Sequence, residues 1–508
     1  MSTLAPLPPA DLLSLSHFSD IGKLPSARPL HCICEIVAAD SLVEYKGVPA
    51  FETCIMYLSI ILAAGVSAEQ ILGSYVFNRH GDRLEKPTKY LTPLGTLQCQ
   101  DAGTFFGDRY IGTISGLKAV YYPTQFAIKC PSSDVLFKSM LAWSDGFYPS
   151  IGSTVEASQI QGASLSNGTS ADTADSVQFV MVTTYDETSS NYWTVTSIDS
   201  CPAWTTASNG YLSASNPSFA SLNSSTFNFY QSLAPYVEGD IPLWSLNYGS
   251  AYKVFDHFLT HDVHNETFHK LIGGQDSDMF VQVKSLSDIY SQEVAIQGSG
   301  TVKDMGARTI LGDVNAFLTN VFKHTSTNTV QVLGGAYPQF YQIFDLLNVT
   351  SSNPAKYTGI VNYAASLAFE LYQPDNSALV YVRALLRNGT DVSQPGVTLD
   401  TLPLFGSTDP VTLETFQSSI EALSVNSAGE WCDSCSGTAD ICYSLKYQSK
   451  NHGNSLSLAA AGGIGAGVTL GVVFIAMALG YLVLRRTQRV PSLRSHPTLS
   501  PDGSTKNA

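Results

Sequence analysis

The chain has 508 residues, 44% of them apolar and 14% charged, which suits one large or two ordinary globular domains and is too apolar for a disordered chain. Its formal net charge of −15 opposes binding to phosphate backbones, so nucleic acid is not an expected partner. Any phosphate site must instead be a local cluster of cations.

Residues 1–55 have loop composition and read as a leader or an extension ahead of a start at Met56. The apolar run from Ile55 to Val66 closes on Val66-Ser67-Ala68, the form of a signal-peptide cleavage site, so segment 56–68 reads as a signal peptide and Glu69 as the first mature residue. Gly73–Asn78 reads as a short buried strand running into a polar turn, Arg79-His80-Gly81-Asp82-Arg83. Thr92-Pro93-Leu94-Gly95 has the form of a helix start, and the helix is expected to reach about Tyr110. From about Ser150 to Ser225 the chain is rich in Ser, Thr and Asn and poor in Lys and Arg, which predicts an insertion of short strands and exposed loops.

Residues 250–325 turn helical in pattern, with apolar residues at three- and four-residue spacing from Lys303 to Phe322. A β-type run, Thr329–Leu333, leads through Gly334-Gly335 into a helix ending near Leu347, and Tyr363–Leu371 and Leu379–Leu386 are further strand candidates. Helices alternating with short buried strands predict a layered α/β/α domain with a mainly parallel sheet and an inserted cap segment.

An uncharged stretch from Leu458 to Leu484 is long enough to cross a bilayer as a helix, and Arg485, Arg486 and Arg489 behind it place the C-terminus in the cytoplasm. Asn-X-Ser/Thr sequons at Asn167, Asn223, Asn265, Asn348 and Asn388 all lie ahead of that span, as a glycosylated extracytoplasmic domain requires. Six cysteines remain after the leader: Cys99, Cys130, Cys201, Cys432, Cys435 and Cys442. An even number fits disulfides in an oxidising compartment. Cys432 and Cys435 lack the further ligands that zinc needs, so disulfides are preferred. The domain plan is a leader over 1–55, a signal segment over 56–68, an ectodomain over 69–440 with an insertion at about 150–325, a linker over 441–457, a transmembrane helix over 458–484 and a tail over 485–508. The membrane is thus an expected partner, through a single pass. The localisation expected is the secretory pathway or plasma membrane.

The polar turn carries the chemistry. A neutral imidazole at His80 is a competent nucleophile toward phosphorus. Arg79 and Arg83 on either side can grip phosphate oxygens in pairs and stabilise transition-state charge. Gly81 allows close backbone approach, and Asp82 can orient a neighbour or face solvent. A small phosphate monoester or another anion is the expected ligand, with no cofactor and no metal.

The Arg-His-Gly-x-Arg string after a strand, followed by Leu91-Thr92-Pro93-Leu94-Gly95, resembles the opening motif of the histidine acid phosphatases, the branch of the histidine phosphatase superfamily that includes phytases. Asp145-Gly146-Phe147-Tyr148-Pro149, Tyr363–Leu371 and Val380–Gly389 are similar to later segments of that family, so the resemblance covers about residues 72–440. Membrane-anchored fungal members look most similar. The resemblance implies the histidine phosphatase fold, attack by His80 to give a phosphohistidine, and Arg79 and Arg83 as phosphate ligands. It also implies a third arginine and a late His-Asp pair whose Asp protonates the leaving alcohol. The chain departs from the family at both of these places. Phe137 stands where the third arginine is expected, with Lys138 beside it, and Ala336 and Tyr337 take the places of the His-Asp pair. Another pair, His261-Asp262, lies in a helical stretch at the wrong spacing and reads as solvent-facing or structural.

Two readings stay open. One is a phosphomonoesterase of attenuated activity in which Asp82, Asp134 or an acid of the insertion donates the proton. The other is an inactive pseudophosphatase that binds an anion through Arg79, His80 and Arg83, or a partner through its insertion.

Overall fold

The structure, a computed structural model, describes residues 69–150, 166, 177–237, 239–389 and 399–451. The leader, the signal-like segment, the membrane span read over Leu458–Leu484, the arginines behind it and the Asn167 sequon lie outside the described residues. Among the described residues no helix is long and apolar enough to cross a membrane.

The strand read over Gly73–Asn78 runs from Glu69 to Arg79 (β1) and is the centre of an eight-stranded sheet. The others are β2 (Phe126–Pro131), β3 (Val182–Tyr185), β4 (Val330–Gly335), β5 (Ser366–Pro374), β6 (Tyr381–Arg387), β7 (Asp400–Leu402) and β8 (Val411–Thr412). Their order is β3-β2-β4-β1-β5-β6-β7, with β8 also pairing β6. Alternate β1 residues face opposite layers. Tyr75 and Phe77 enter one core with helices α4 (Met305–Phe322) and α5 (Tyr337–Leu346). Val76 enters the other, with α1 (Pro93–Tyr110) and α2 (Asp134–Phe147). The layers are α/β/α, as expected.

The sheet is mixed rather than mainly parallel. β1 pairs β4 in parallel, as β2 does β4 and β3, but β1–β5, β5–β6, β6–β7 and β6–β8 are antiparallel. The physical reason is connection length. Between Pro374 and Tyr381 there is room for a turn, with Asn376 at φ 60°, but none for the crossover helix that a parallel pair needs.

The inserted segment also differs from expectation. Of the short strands predicted over 150–225, the described part holds only β3. Helices occupy Pro202–Tyr211, Pro217–Ser225 and Phe227–Ser232, with Pro at the first turn of two of them. With α3 (Ala251–His264) and the helix Asp278–Ala295 they enclose a separate apolar cluster that includes Tyr230, Phe258 and Val283. The segment is a helical cap between β3 and β4.

The Cys201–Cys435 disulfide ties the cap's edge to the C-terminal helices, and Cys432–Cys442 joins two of those helices to each other. Cys99 and Cys130 are free, which corrects the expectation of six paired cysteines. Each is held within the packed layer of α1, α2 and β2, where burial pushes both thiols up to about 12.

Glu370 of β5 is wholly buried in the sheet. It accepts from Arg109 Nε and Nη2 (2.5 and 2.9 Å), Arg383 Nε (2.8 Å) and the Tyr110 hydroxyl (2.9 Å). Burial alone would raise its pKa, but Arg109 and then Arg383 overcome this and hold it below the usual 4.5. Its ion pairs therefore stabilise the fold above about pH 4.5, and that contribution is lost as pH falls through the lower folded value. Glu370→Gln leaves Arg109 short of its counter-charge, while Arg383 keeps a second carboxylate in Glu69 (2.5 and 2.9 Å). It is expected to cost roughly 3–5 kcal/mol in urea unfolding and to flatten the acid side of the stability curve. An unfolding free energy within about 1 kcal/mol of the natural chain would overturn the assignment.

Candidate active site

Residues 80–91 leave the C-terminal end of β1, where β4 lies alongside in the same direction. The His80 N–H donates to the Gly335 carbonyl (3.1 Å), and the His80 carbonyl accepts from Ala364 (3.0 Å), so the backbone is pinned between β4 and the start of β5. The chain then doubles back onto α1. A Cβ on Gly81 would come 2.2 Å from the Gly95 carbonyl, and one on Gly95 would come 2.1 Å from the Asp82 carbonyl, so only glycines allow this contact. Thr92 caps α1 by accepting from the Gly95 N–H (3.0 Å) and donates its own hydroxyl to the Asp82 carboxylate.

Helix α3 of the cap holds the other side of this loop. Arg83 is buried and paired bidentately with Asp256, Nη2–Oδ1 at 2.7 Å and Nη1–Oδ2 at 3.2 Å. Its terminal nitrogens also donate to the Tyr252 hydroxyl (3.2 Å) and the Leu84 carbonyl (3.0 Å). Asp82 Oδ2 lies 2.7 Å from His264 Nε2, and Glu85 faces His257 and His261 at 3.3 and 3.6 Å. One helix face thus answers Asp82, Arg83 and Glu85 in turn.

His80 Nδ1 lies 2.8 Å from the Gly81 carbonyl. A carbonyl only accepts, so Nδ1 carries the proton and Nε2 the lone pair. Burial, the charge of Arg79 and, more weakly, Arg83 and Lys86 hold the imidazole well below its usual 6.5, so it stays neutral into the acid range. The cavity beside it has a volume of about 520 Å³. Arg83, Lys86 and Lys89 supply its cations, Asp186, Glu187 and Asp199 its carboxylates, and Ala336 and Tyr337 part of its wall.

The residues singled out from sequence do not all meet here. His80 and Arg83 share the cavity. Arg79 lines a neighbouring cavity of about 290 Å³ together with Asp82. Its guanidinium donates to the Val361 carbonyl and stacks on Tyr363, 4.3 Å from the ring centre, with Tyr337 at 5.4 Å. Asp82 is committed to Thr92 and His264 and does not line the His80 cavity. Asp134 and Lys138 pair with each other at 2.9 Å, about half exposed, on the outer face of α2. They do not line the His80 cavity either, because one turn of helix brings them together and points both at solvent. Phe137 beside them is exposed.

The strand register puts Arg79 opposite Gly335, so Ala336 and Tyr337 do follow β4 beside His80, where the family's late pair is expected. Tyr337 stacks on Tyr252 with ring centres 5.1 Å apart. His261 faces Glu85, and Asp262 accepts from His269 Nδ1 (2.9 Å) and Gln275 (3.0 Å), so this pair lies in the cap and its surroundings, outside the His80 cavity. Sequence reasoning missed Asp256, Tyr252 and the lysines, and it anticipated the three cavity carboxylates only as an unspecified acid of the insertion. Lys86 and Lys89 are close enough to the motif to have been found. Asp256 is visible only once α3 is docked on the loop.

No family model matches the sequence, and no curated protein matches it. Solved structures do. The phytase of Citrobacter braakii aligns over 70% of this chain and 98% of its own, at 13% identity and a TM-score of 0.50. A Hafnia alvei phytase aligns over 71% and 98%, at 12% identity and a TM-score of 0.47. A multiple inositol polyphosphate phosphatase of Bifidobacterium longum aligns over 66% and 91%, at 11% and 0.39. The likeness to the Citrobacter braakii enzyme is one of architecture, and it gives the described domain the fold of the histidine acid phosphatases, the family to which the sequence motifs point.

Proposed function

We propose that the protein is a membrane-anchored phosphomonoesterase of attenuated activity that works through a phosphohistidine at His80. The observation that carries this reading is the Nδ1–H to Gly81 hydrogen bond, which leaves a neutral Nε2 lone pair at a cavity furnished with cations. In the proposed reaction Nε2 bonds to phosphorus, the P–O bond to the alcohol breaks, and a cavity carboxyl gives its proton to the departing oxygen. Water then attacks the phosphohistidine, releasing phosphate and returning the imidazole.

Glu187 and Asp199, which line the cavity, are the candidate acids for this role. Asp186 is the weaker candidate, because the Thr188 hydroxyl and N–H hold its carboxyl below the usual range. The cavity opposes three carboxylates to three cations, one of which Asp256 already neutralises. Such a balance suits a singly phosphorylated ester better than the densely charged inositol phosphates that phytases are named for. The two disulfides support an oxidising compartment, and with Leu458–Leu484 as the anchor the domain would lie outside the cytoplasm.

The full chain is expected to hydrolyse an aryl phosphate, and His80→Ala to abolish the activity and the acid-labile phosphoenzyme trapped on rapid quench. Without the family's acid, alkyl phosphates should turn over slower by about 10²–10⁴, a gap that a good leaving group hides. Equal rates for the natural chain and His80→Ala would sink the enzyme reading. Because protonation of Nε2 removes the nucleophile and its folded pKa lies below 6.5, the acid limb of kcat/KM should have its midpoint below pH 6.5. A midpoint at or above that value would place His80 outside the nucleophile's role.

The second reading, an anion-binding protein without turnover, is favoured by one specific arrangement, the occupation of Arg83 by Asp256. Asp256→Asn is expected to lower Tm, and inorganic phosphate to restore more of the loss than it adds to the natural chain, because the anion replaces the missing counter-charge. Equal phosphate shifts in the two proteins would show that Arg83 does not contact the anion.

A further inference from the structure

We propose that His257, His261 and Glu85 form a binding site for a divalent transition-metal ion of the Zn²⁺ type, separate from the His80 cavity. His257 and His261 sit one turn apart on α3 with ring centres 4.1 Å apart, the spacing that presents two imidazoles to one ion. The possible ligand atoms of the two histidines and Glu85 all lie within 4.8 Å of one another. Asp240 Oδ2, 4.0 Å from His257 Nδ1, offers a fourth.

The second observation is the orientation of His257, whose side chain is only 2% exposed. Its Nε2 lies 3.1 Å from the Tyr236 carbonyl. The carbonyl requires a proton on Nε2, so in the neutral ring Nδ1 is a bare lone pair, directed at a Glu85 oxygen 3.3 Å away. Two acceptors facing each other there need a positive charge between them, which either a second proton on His257 or a metal ion supplies. A backbone carbonyl behind the far nitrogen is also the usual support of a metal-bound imidazole.

Phe268 packs against both rings, at 5.9 and 5.4 Å, and gives the site an apolar floor. Mixed nitrogen and carboxylate donors select Zn²⁺ and its neighbours over Ca²⁺ or Mg²⁺. An ion here would tie the cap to the loop two residues beyond Arg83. Its role would be to hold α3 in place, with no part in the reaction.

The test uses the full chain made without a polyhistidine tag, stripped with a chelator and titrated with Zn²⁺ against a chromophoric competitor. One equivalent should bind and raise Tm. His261→Ala, at a side chain about a third exposed and so tolerant of truncation, should weaken binding by more than the roughly 10–100-fold typical of an outer-shell partner. Co²⁺ in the natural chain should show the visible bands of a low-coordinate nitrogen and oxygen site. Failure to retain Zn²⁺ overturns the proposal, with His257 then a protonated partner of Glu85. Retention undiminished in both His261→Ala and Glu85→Gln overturns it as well.

Discussion

The ion pair between Arg83 and Asp256 is the constraint on which the site depends. It joins two bodies that share no strand: the loop leaving β1 and the helical cap. Both side chains are about 95% or more buried, so neither charge has water to fall back on. Removing either leaves the other stranded, and the cap then loses its firmest hold on the loop. The neighbouring contacts follow the same axis. Asp82 meets His264 and Glu85 meets His257 because residues 256, 257, 261 and 264 share one face of α3. This pairing also decides what Arg83 can do for a ligand. Its terminal nitrogens already donate to a carboxylate, a hydroxyl and a carbonyl, so an incoming phosphate must compete for a donor set that is in use.

The second departure is aromatic. Where the family's late pair would bring a carboxyl beside His80, Tyr337 lies on Tyr252 and near Arg79, and Tyr363 also stacks on Arg79. The guanidinium is thereby kept by ring faces and a backbone carbonyl, with its buried Nε unpartnered. A tyrosine is no substitute for the missing acid. Burial drives the Tyr337 hydroxyl far above its usual pKa of 10.0, which makes it a poor proton donor to an alkoxide at acid pH. In the proposed reaction the proton would come instead from the carboxylates that β3 and the following loop bring to the cavity.

Much of this was legible in the chain, and the parts that were not share a cause. β1, the Thr92 cap and the run from β4 into α5 announce themselves locally, through apolar runs, Pro at a first turn and a capping hydroxyl. The place of Ala336 and Tyr337 directly after β4 was equally plain, because the register of β4 on β1 is what a parallel neighbour requires. Partnerships across long separations were not. Nothing near Asp256 marks it as the counter-charge of a residue more than 170 positions earlier, since the helical pattern around it gives a face and not a target. The free thiols of Cys99 and Cys130 were hidden for the same reason. Parity of cysteines says nothing about which of them the sheet and helices bring close. The antiparallel half of the sheet was readable in principle from the short link between β5 and β6.

These features fit together when transition-state binding is separated from ground-state binding. Catalysis needs interactions that strengthen as charge spreads over the transferring phosphoryl group, and planar forks matched to its oxygens supply them best. Here one fork is held by Asp256 and the other by Tyr363 and Val361, while Lys86 and Lys89 remain at the cavity as point charges. Lysines of this kind attract any phosphate and discriminate little between ester and transition state. The His80 imidazole has its tautomer fixed, and its charge is suppressed by burial and by Arg79 and, more weakly, Arg83 and Lys86. The result is a site that leaves an imidazole lone pair at a cavity with cations while both guanidinium groups are engaged elsewhere. On the proposed reading, that pattern would give slow turnover at His80, with the limit on rate set by what holds Arg83 and Arg79.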